Sequence, residues 1–327
     1  MVGPGSPAQS GRMRAAVLRG GGSVMIDEVP LPQPGPGEVR LRLEGCGVCG
    51  SDLPVWEGRP WFQYPRQPGA PGHEAWGRID AVGPGVTGWR AGERVAALSY
   101  QAYAEFDLAR GDRLIRLAAE LGADPFPGEA LGCAVNVFRR SGIQPGDTVA
   151  VVGVGFLGAL LVALAARAGA RVIGIARRAR ARDIALAMGA SEVVEFGGSA
   201  PEAVAHLTDG DLCDVVIEAG GAQATLDVAA ALTRTRGRLV VAGYHQDGRR
   251  EIDLQLWNWR GLDVINAHER DPEIYADGMR RAAAAVAAGQ LDPTPLYTHR
   301  FALEELNVAF AALSERDPGL MKAVVCP

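Results

Sequence analysis

The sequence predicts an α/β protein that combines a β-rich domain with a doubly wound parallel sheet. Two observations lead to this prediction. Short strand patterns separated by Gly- and Pro-rich turns fill the chain from Met13 to Ala97, and apolar strands alternate with helices from Asp147 to Ala242. Such alternation is typical of a parallel sheet that is covered by helices. The 327 residues suffice for two domains, since one domain commonly takes roughly 100–200 residues.

The β-rich part follows residues 1–12, which lack periodicity and are expected to form a disordered leader. Residues 38–43 alternate apolar and polar side chains directly after the turn at 34–37, as a half-buried strand does. The other strands expected here are bounded by turn residues and cover 15–18, 24–26, 75–82 and 94–97.

In the second part, strands and helices follow each other in order. The strands are expected at 147–152, 171–175, 214–218 and 238–242, and the helices at 157–168, 179–188 and 222–232. Two amphipathic helices and a closing strand are expected after them, at 277–288, 303–313 and 322–325.

The charge balance and the cysteine count narrow the function classes. There are 33 Lys and Arg against 38 Asp and Glu, a net charge of −5, so no basic stripe is expected for nucleic acid. The longest apolar run, near 159–166, is far shorter than the ~20 residues that cross a bilayer, and no signal peptide is recognised. Five cysteines do not suit a disulfide framework and favour a cytoplasmic protein with reduced thiols or metal ligands.

A glycine motif predicts a dinucleotide site. Gly153, Gly155 and Gly158 form G-x-G-x-x-G, with Phe156 and Leu157 inside it, directly after a strand and before a helix. In that context the glycines allow the tight turn, the approach of a pyrophosphate and the packing of helix on strand. The free N–H groups at the start of the helix then face the phosphates.

The next strand end indicates which dinucleotide binds. NAD sites usually have an acidic residue there, whereas this chain has Ala176 followed by Arg177 and Arg178. A guanidinium beside the ribose suits the 2′-phosphate of NADP, so NADP is preferred over NAD. The alternative is that these arginines only solvate the start of a helix.

The β-rich part holds candidate metal ligands. Cys49, His73 and Glu74 offer a thiolate, an imidazole and a carboxylate, and Glu129 and Cys133 precede the nucleotide-binding part. One soft thiolate, one imidazole and a carboxylate with an open position are typical of catalytic zinc. No second Cys pair follows Cys46 and Cys49, so a four-cysteine structural zinc is not expected.

These motifs together resemble the medium-chain dehydrogenase/reductase family, specifically its zinc-dependent alcohol and polyol dehydrogenases. The resemblance extends from Met13 to Pro327 and rests on the residues 13–17, 32–38, 47–52, 72–74, 83–86, 92–95, 153–158 and the final strand at Lys322. It implies a GroES-like catalytic domain formed by 13–131 and 265–327, and a Rossmann domain, 132–264, inserted between them.

The resemblance also implies roles for single residues. Cys49 and His73 match zinc ligands, and Glu74 matches a carboxylate that can enter the metal shell. Asp52 matches the acid that orients the ligand histidine, a type of partner such imidazoles need. Ser51 matches the hydroxyl that binds the substrate oxygen and passes on its proton.

The third protein ligand is left between two residues. The family position falls on Glu129, which we favour, and Cys133, one helical turn later, is the reserve. The family's structural-zinc lobe is missing, so one catalytic zinc and no structural zinc are expected. Pro54 occupies the position of a relay histidine, and proton exit must use Ser51 with water, a cofactor hydroxyl or another side chain.

The implied activity is hydride transfer between NADP(H) or NAD(H) and an alcohol or polyol, with zinc as Lewis acid. The residues expected to bind the cofactor are Gly153, Gly155, Phe156, Leu157, Gly158, Ala176, Arg177, Arg178, Gly243, His245 and Lys322. A zinc-free quinone or enoyl reductase and a non-catalytic nucleotide sensor are the alternatives. The family also implies a homodimer or homotetramer.

The substrate is indicated less clearly than the reaction. Trp56, Trp61, Phe62 and Tyr64 either line an apolar pocket or anchor a loop. His268 lies where polyol-specific members carry a different signature, and it either bonds a polar substrate or lies at the surface. The absence of that signature argues against a sorbitol-like specificity.

Overall fold

The computed structural model describes residues 11–327. Residues 1–10 of the expected leader lie outside the described residues. Arg12 belongs to the first strand, where it pairs with Pro30, so its assignment to the leader is wrong. No helix in the described part of the chain is long and apolar enough to cross a membrane.

The strands and helices are as follows. The strands are β1 (Arg12–Gly20), β2 (Ser23–Pro30), β3 (Glu38–Gly47), β4 (Glu74–Val82), β5 (Arg94–Ala97), β6 (Phe106–Arg110), β7 (Leu114–Arg116), β8 (Thr148–Val152), β9 (Arg171–Ala176), β10 (Glu192–Glu195), β11 (Cys213–Glu218), β12 (Thr233–Val241), β13 (Asp263–Asn266), β14 (Tyr297–Ala302) and β15 (Lys322–Cys326). The α-helices are α1 (Leu53–Glu57), α2 (Gly128–Ser141), α3 (Phe156–Arg167), α4 (Ala179–Ala187), α5 (Ala200–Leu207), α6 (Gln223–Leu232), α7 (Leu254–Arg260), α8 (Pro272–Ala287) and α9 (Leu306–Ser314).

The parallel sheet has the strand order β10-β9-β8-β11-β12-β13. This is the order of the Rossmann fold, and it reverses between β8 and β11, where a crevice opens at the carboxyl ends of the strands. Val149 and Val151 face one apolar core and Ala150 and Val152 face another, so helices cover both faces of the sheet. The expected doubly wound sheet is confirmed.

The second sheet has the order β14-β15-β3-β4-β5-β7, and β6 also pairs with β3. The N-terminal strand β3 and the C-terminal strand β15 are neighbours, with Val324 opposite Gly47. The Rossmann sheet is therefore inserted into a domain that is built from both ends of the chain, as expected.

The expected domain bounds differ from the element bounds at two places. The start at Gly132 falls inside α2, where Gly132 packs so closely on Met279 of α8 that a Cβ would lie 2.8 Å from the Met279 backbone nitrogen. The end at Val264 falls inside β13, which extends the parallel sheet to Asn266. Both corrections arise because a helix or strand packs as one unit.

Candidate active site

The antiparallel pairing of β3 and β4 gathers the candidate metal ligands. Gly47 lies opposite Glu74, so Cys49, which follows β3, and His73, which precedes β4, meet at the same end of the sheet. One ligand atom each from Cys49, His73 and Glu74 lies within 4.8 Å of the other two. Thiolate, imidazole and carboxylate are the donor types of a catalytic zinc site, so these residues fit the ion.

The imidazole of His73 is held on its Nδ1 side. Nδ1 lies 3.0 Å from the carbonyl oxygen of Pro71 and 3.3 Å from Oδ1 of Asp52. Asp52 is buried and its Oδ2 accepts a hydrogen bond of 2.6 Å from the hydroxyl of Tyr103. Burial lowers the pKa of His73, but Asp52 and Cys49 outweigh it, and the pKa is raised well above its ordinary value. Nε2 remains for the metal.

The hydroxyl expected to handle the proton lies beside the thiol. Ser51 Oγ donates to Cys49 Sγ over 3.2 Å. Pro54, at the position of the relay histidine, is buried in α1. Ser51 is half-buried, so its hydroxyl can reach both the ligand cysteine and solvent.

Glu74 forms a buried ion pair with Lys322. The ammonium Nζ lies 2.6 Å from Oε1 and 2.5 Å from Oε2, and it donates to the carbonyl of Val48 over 3.1 Å. A Cβ at Gly47 would collide with the Glu74 carboxylate, so only glycine leaves room for the pair. Lys322, expected near the cofactor, also lies over the ring of Phe156 at 4.9 Å, which links the metal ligands to the start of α3.

Glu129 and Cys133 lie in the first turns of α2 and pair with each other. Cys133 Sγ donates to Glu129 Oε1 over 3.1 Å, and burial raises the pKa of both groups. Neither residue belongs to the group of three whose ligand atoms lie within 4.8 Å of one another. In the described chain, that group is Cys49, His73 and Glu74 alone.

The three motif glycines lie at the end of β8, each in a different environment. Gly153 has φ +100, and a Cβ there would lie 2.8 Å from the nitrogen of Gly220. A Cβ at Gly158 would collide with the carbonyl oxygen of Gly153. At Gly155, which precedes α3, the space is open. Two glycines therefore serve packing, and Gly155 leaves a cradle that a pyrophosphate can enter.

The three residues at the end of β9 differ in their contacts. Ala176 is buried, and the exposed Arg177 lies over the ring of Phe196 at 5.5 Å. Arg178 instead donates to the carbonyl oxygens of Asp317 and Leu320, 2.8 and 3.1 Å away. The guanidinium of Arg178 thus joins the two domains, and the ring contact leaves the N–H groups of Arg177 accessible.

His245 lies in the loop after β12 and both of its ring nitrogens have partners. Arg250 Nε donates to Nδ1 over 2.8 Å, so Nε2 carries the proton and donates to Glu218 Oε2 over 2.9 Å. The fully buried Glu218 also accepts from backbone and hydroxyl donors, namely Gly220 N, Gly221 N and Thr225 Oγ1. A Cβ at Gly243 would lie 2.6 Å from Glu218 Oε2.

Glu218 and Tyr103 were not identified from the sequence. Glu218 ends an apolar parallel strand two residues before the pair Gly220-Gly221, a signal that could have identified it. Nothing local distinguishes Tyr103, whose partner Asp52 is 51 residues away.

The aromatic segment after Cys49 is largely an anchor. Trp56 bonds Asn307 and stacks on Phe310 at 5.9 Å, and the hydroxyl of Tyr64 donates to the carbonyl of Val55 over 2.6 Å. His268 stacks on Tyr244 at 5.2 Å, near the carboxyl ends of β12 and β13.

Comparisons with known proteins identify the family of the chain. Residues 35–128 match the family described as alcohol dehydrogenase GroES-like domain, and residues 157–284 match the zinc-binding dehydrogenase family. The chain belongs to the zinc-type medium-chain alcohol/polyol dehydrogenase family. The sequence-based identification of the family is therefore confirmed, and this dehydrogenase is an oxidoreductase that acts on CH–OH groups of small molecules.

Individual relatives are distant but extend over the whole dehydrogenase. Sorbitol dehydrogenase of Ovis aries is 26% identical and the match covers 95% of each chain. L-threonine 3-dehydrogenase of Bacillus subtilis is 27% identical over 98% of this chain and 100% of the relative. A structure described as a zinc-binding dehydrogenase from Sinorhizobium meliloti, bound to NADP, is 27% identical with TM-score 0.85, covering 97% of this chain and 100% of that chain.

Proposed function

We propose that this dehydrogenase is zinc-dependent, prefers NADP to NAD, and interconverts a primary or secondary alcohol or polyol with its aldehyde or ketone. The observation that carries the proposal is the group of Cys49, His73 and Glu74, with Ser51 against the thiol. The group lies next to the dinucleotide motif, because Lys322 contacts both Glu74 and Phe156.

The protein residues have distinct tasks in this reaction. Bound zinc supplies a Lewis acid for the substrate oxygen, and bound nicotinamide supplies the hydride acceptor or donor. Cys49 and His73 hold the metal, and Asp52 keeps the tautomer of His73 that leaves Nε2 free. Ser51 receives the hydroxyl proton of the substrate and passes it to solvent, since Pro54 cannot. Lys322 balances the negative charge of Glu74.

For the third protein ligand we favour Glu129, with Cys133 as the reserve. Glu129 is buried and Cys133 is half-buried, and the negative charge of Glu74 acts on Glu129. The hydrogen bond from Cys133 occupies Oε1 of Glu129 and leaves Oε2 for the metal. One catalytic zinc per chain, without a structural zinc, completes the proposal.

The NADP preference rests on Arg177. Its guanidinium is exposed at the end of β9, and the position that usually holds a ribose-binding acid is Ala176. Arg178 is a weaker candidate because its donors are bonded to Asp317 and Leu320. The NADP-bound relative from Sinorhizobium meliloti supports the same cofactor.

The relatives support one substrate class for the first test. The two curated relatives are named for a polyol and a hydroxy amino acid, and both of these compounds carry a secondary hydroxyl group. A secondary alcohol or polyol is therefore the class to test first. The stacked pair of Tyr244 and His268 is a candidate wall of the substrate cleft.

The test combines zinc content with turnover. The purified protein is expected to hold about one zinc per chain and to oxidise secondary alcohols faster with NADP than with NAD. Cys49→Ala and His73→Ala should lose both zinc and turnover, while Cys326→Ser, a thiol outside the site, should lose neither. Metal-free reduction of quinones or enones would support the zinc-free reductase instead, and NADPH binding without turnover would support the sensor.

The cytoplasmic location and the homodimer or homotetramer remain predictions from the sequence. Light scattering on the purified protein measures the oligomeric state directly, and a monomeric mass would contradict that prediction.

A further inference from the structure

Tyr103 is a fully buried tyrosine whose hydroxyl faces the acid behind the metal ligands. It donates to Asp52 Oδ2 over 2.6 Å, and the other oxygen of the same carboxylate lies 3.3 Å from His73 Nδ1. Asp52 is 2% exposed and Tyr103 is 0% exposed. A buried carboxylate needs donors for both oxygens, and these two residues supply one each.

The backbone fixes Tyr103 relative to the loop that carries His73. Tyr103 N donates to Gly69 O over 3.0 Å, and Ala102 N donates to Gly72 O over 3.0 Å. A Cβ at Gly72 would lie 2.6 Å from Tyr103 N, so the two segments touch without space for a side chain. The backbone of Tyr103 is thus held by the segment that precedes the ligand histidine.

The ring of Tyr103 is fixed as well. It meets the ring of Phe310 edge-on at 5.7 Å, within the core of the catalytic domain. The packed ring places its hydroxyl against one oxygen of the Asp52 carboxylate, which leaves the other oxygen toward His73. Without that donor, the carboxylate could rotate and lose its alignment with His73 Nδ1.

We infer that Tyr103 is a positioning residue of the metal centre, which acts through Asp52 on the orientation of His73 and thereby on zinc affinity. The inference rests on the proposed zinc dependence. It goes beyond a packing role because it predicts that the phenolic hydroxyl, rather than the aromatic ring, changes metal binding.

The experiment measures zinc affinity of the full-length protein by competition with a chromogenic chelator. Tyr103→Phe keeps the ring and removes the hydroxyl, and it is expected to weaken zinc binding about tenfold, the lower end of what loss of a ligand-orienting partner costs. Tyr64→Phe is the matched control, since it removes a 2.6 Å hydrogen bond of the same domain without contact to Asp52. The control should lower thermal stability and leave zinc affinity unchanged.

A double-mutant cycle that combines Tyr103→Phe with Asp52→Asn tests whether Tyr103 acts through Asp52. In the Asp52→Asn background, adding Tyr103→Phe should change zinc affinity less than twofold, because the carboxylate that needs the donor is gone. The absorption bands of the cobalt-substituted protein should shift in Tyr103→Phe and not in Tyr64→Phe. If Tyr103→Phe does not fold, the double variant should fold and match Asp52→Asn.

Each remaining result contradicts the inference in its own way. Unchanged zinc affinity in Tyr103→Phe, with zinc present in the wild type, overturns the role of Tyr103 alone. If the two substitutions weaken zinc affinity independently, so that the double variant shows the product of the two single effects, Tyr103 does not act through Asp52. A wild-type protein without zinc overturns the proposed function, and the inference with it.

Discussion

Replacing Lys322 with Met should destabilise the dehydrogenase, because it leaves the carboxylate of Glu74 buried without its partner. Glu74 is 1% exposed and Lys322 is 4% exposed. Burial by itself lowers the pKa of Lys322, but Glu74 and Cys49 outweigh it and the pKa is raised. Met retains much of the apolar stem of Lys, so the change removes mainly the charge.

The size of the effect follows from the burial of the pair. Removing one partner of a buried ion pair typically costs about 3–5 kcal/mol. At roughly 2.1 cal/mol/K per residue, the unfolding entropy of a chain of 327 residues is about 0.7 kcal/mol/K, so Tm should fall by about 4–7 °C. The double variant Glu74→Gln/Lys322→Met should recover much of this loss, because no buried charge remains unpaired.

Calorimetry on the wild type, both single variants and the double variant measures the coupling. A negative result would be Lys322→Met melting within about 1 °C of the wild type, or additive losses in the double variant. Either outcome would mean that Glu74 finds another partner or solvent when Lys322 is absent.

Three further predictions concern the cofactor and pH. Gly155→Ala should keep the Tm of the wild type but weaken NADP binding. Gly158→Ala should lower the Tm, because a Cβ has space at Gly155 and not at Gly158. Equal Tm values of the two variants, measured by calorimetry, would contradict this prediction. Arg177→Ala should reduce NADP affinity about 10- to 100-fold, the range for a hydrogen bond to a charged group, and leave NAD affinity unchanged. Calorimetric titration checks it, and an equal loss for both cofactors would refute the role in binding the 2′-phosphate. Burial raises the pKa of Asp107 from 3.8 to about 6. The folded state therefore favours the protonated carboxyl, and this contribution to stability is fully present below pH 3.8 and is lost as pH rises through about 6. The loss amounts to about 3 kcal/mol in total. In urea unfolding experiments, the free energy of unfolding of Asp107→Asn should not decrease over this pH range. Identical pH profiles of the variant and the wild type would show that Asp107 titrates normally.

Local patterns predicted those parts of the fold that depend on neighbouring residues. The β8–α3 unit has the expected bounds to within a residue, because an apolar strand, a glycine turn and a helix are encoded in consecutive positions. Short elements such as α5 and β10 were not predicted. The helix expected at 277–288 begins earlier, as α8, because Asp271 caps it and Pro272 occupies its first turn.

In the candidate site, too, the residue types were predicted from local sequence, whereas distant contacts were not. Cys49, His73 and Glu74 were predicted from their residue types and the family resemblance, and the β3–β4 register places them next to one another. Arg177 and Arg178 were both predicted to bind the cofactor, because both follow Ala176 at the end of the strand. Only the position of the C-terminal segment, which supplies the carbonyls of Asp317 and Leu320, separates their roles.

The sequence by itself determined the chemistry available to this protein: a thiolate, an imidazole and carboxylates in a β-rich domain, and a glycine turn between strand and helix. The tertiary structure decided which of these groups are paired. Lys322 lies 248 residues from Glu74, and Tyr103 lies 51 residues from Asp52. Lys322 meets Glu74 because β15 and β4 both pair with β3, whereas Tyr103 is held against the segment that precedes His73. Buried charges must find a counter-charge or a donor wherever the fold provides one.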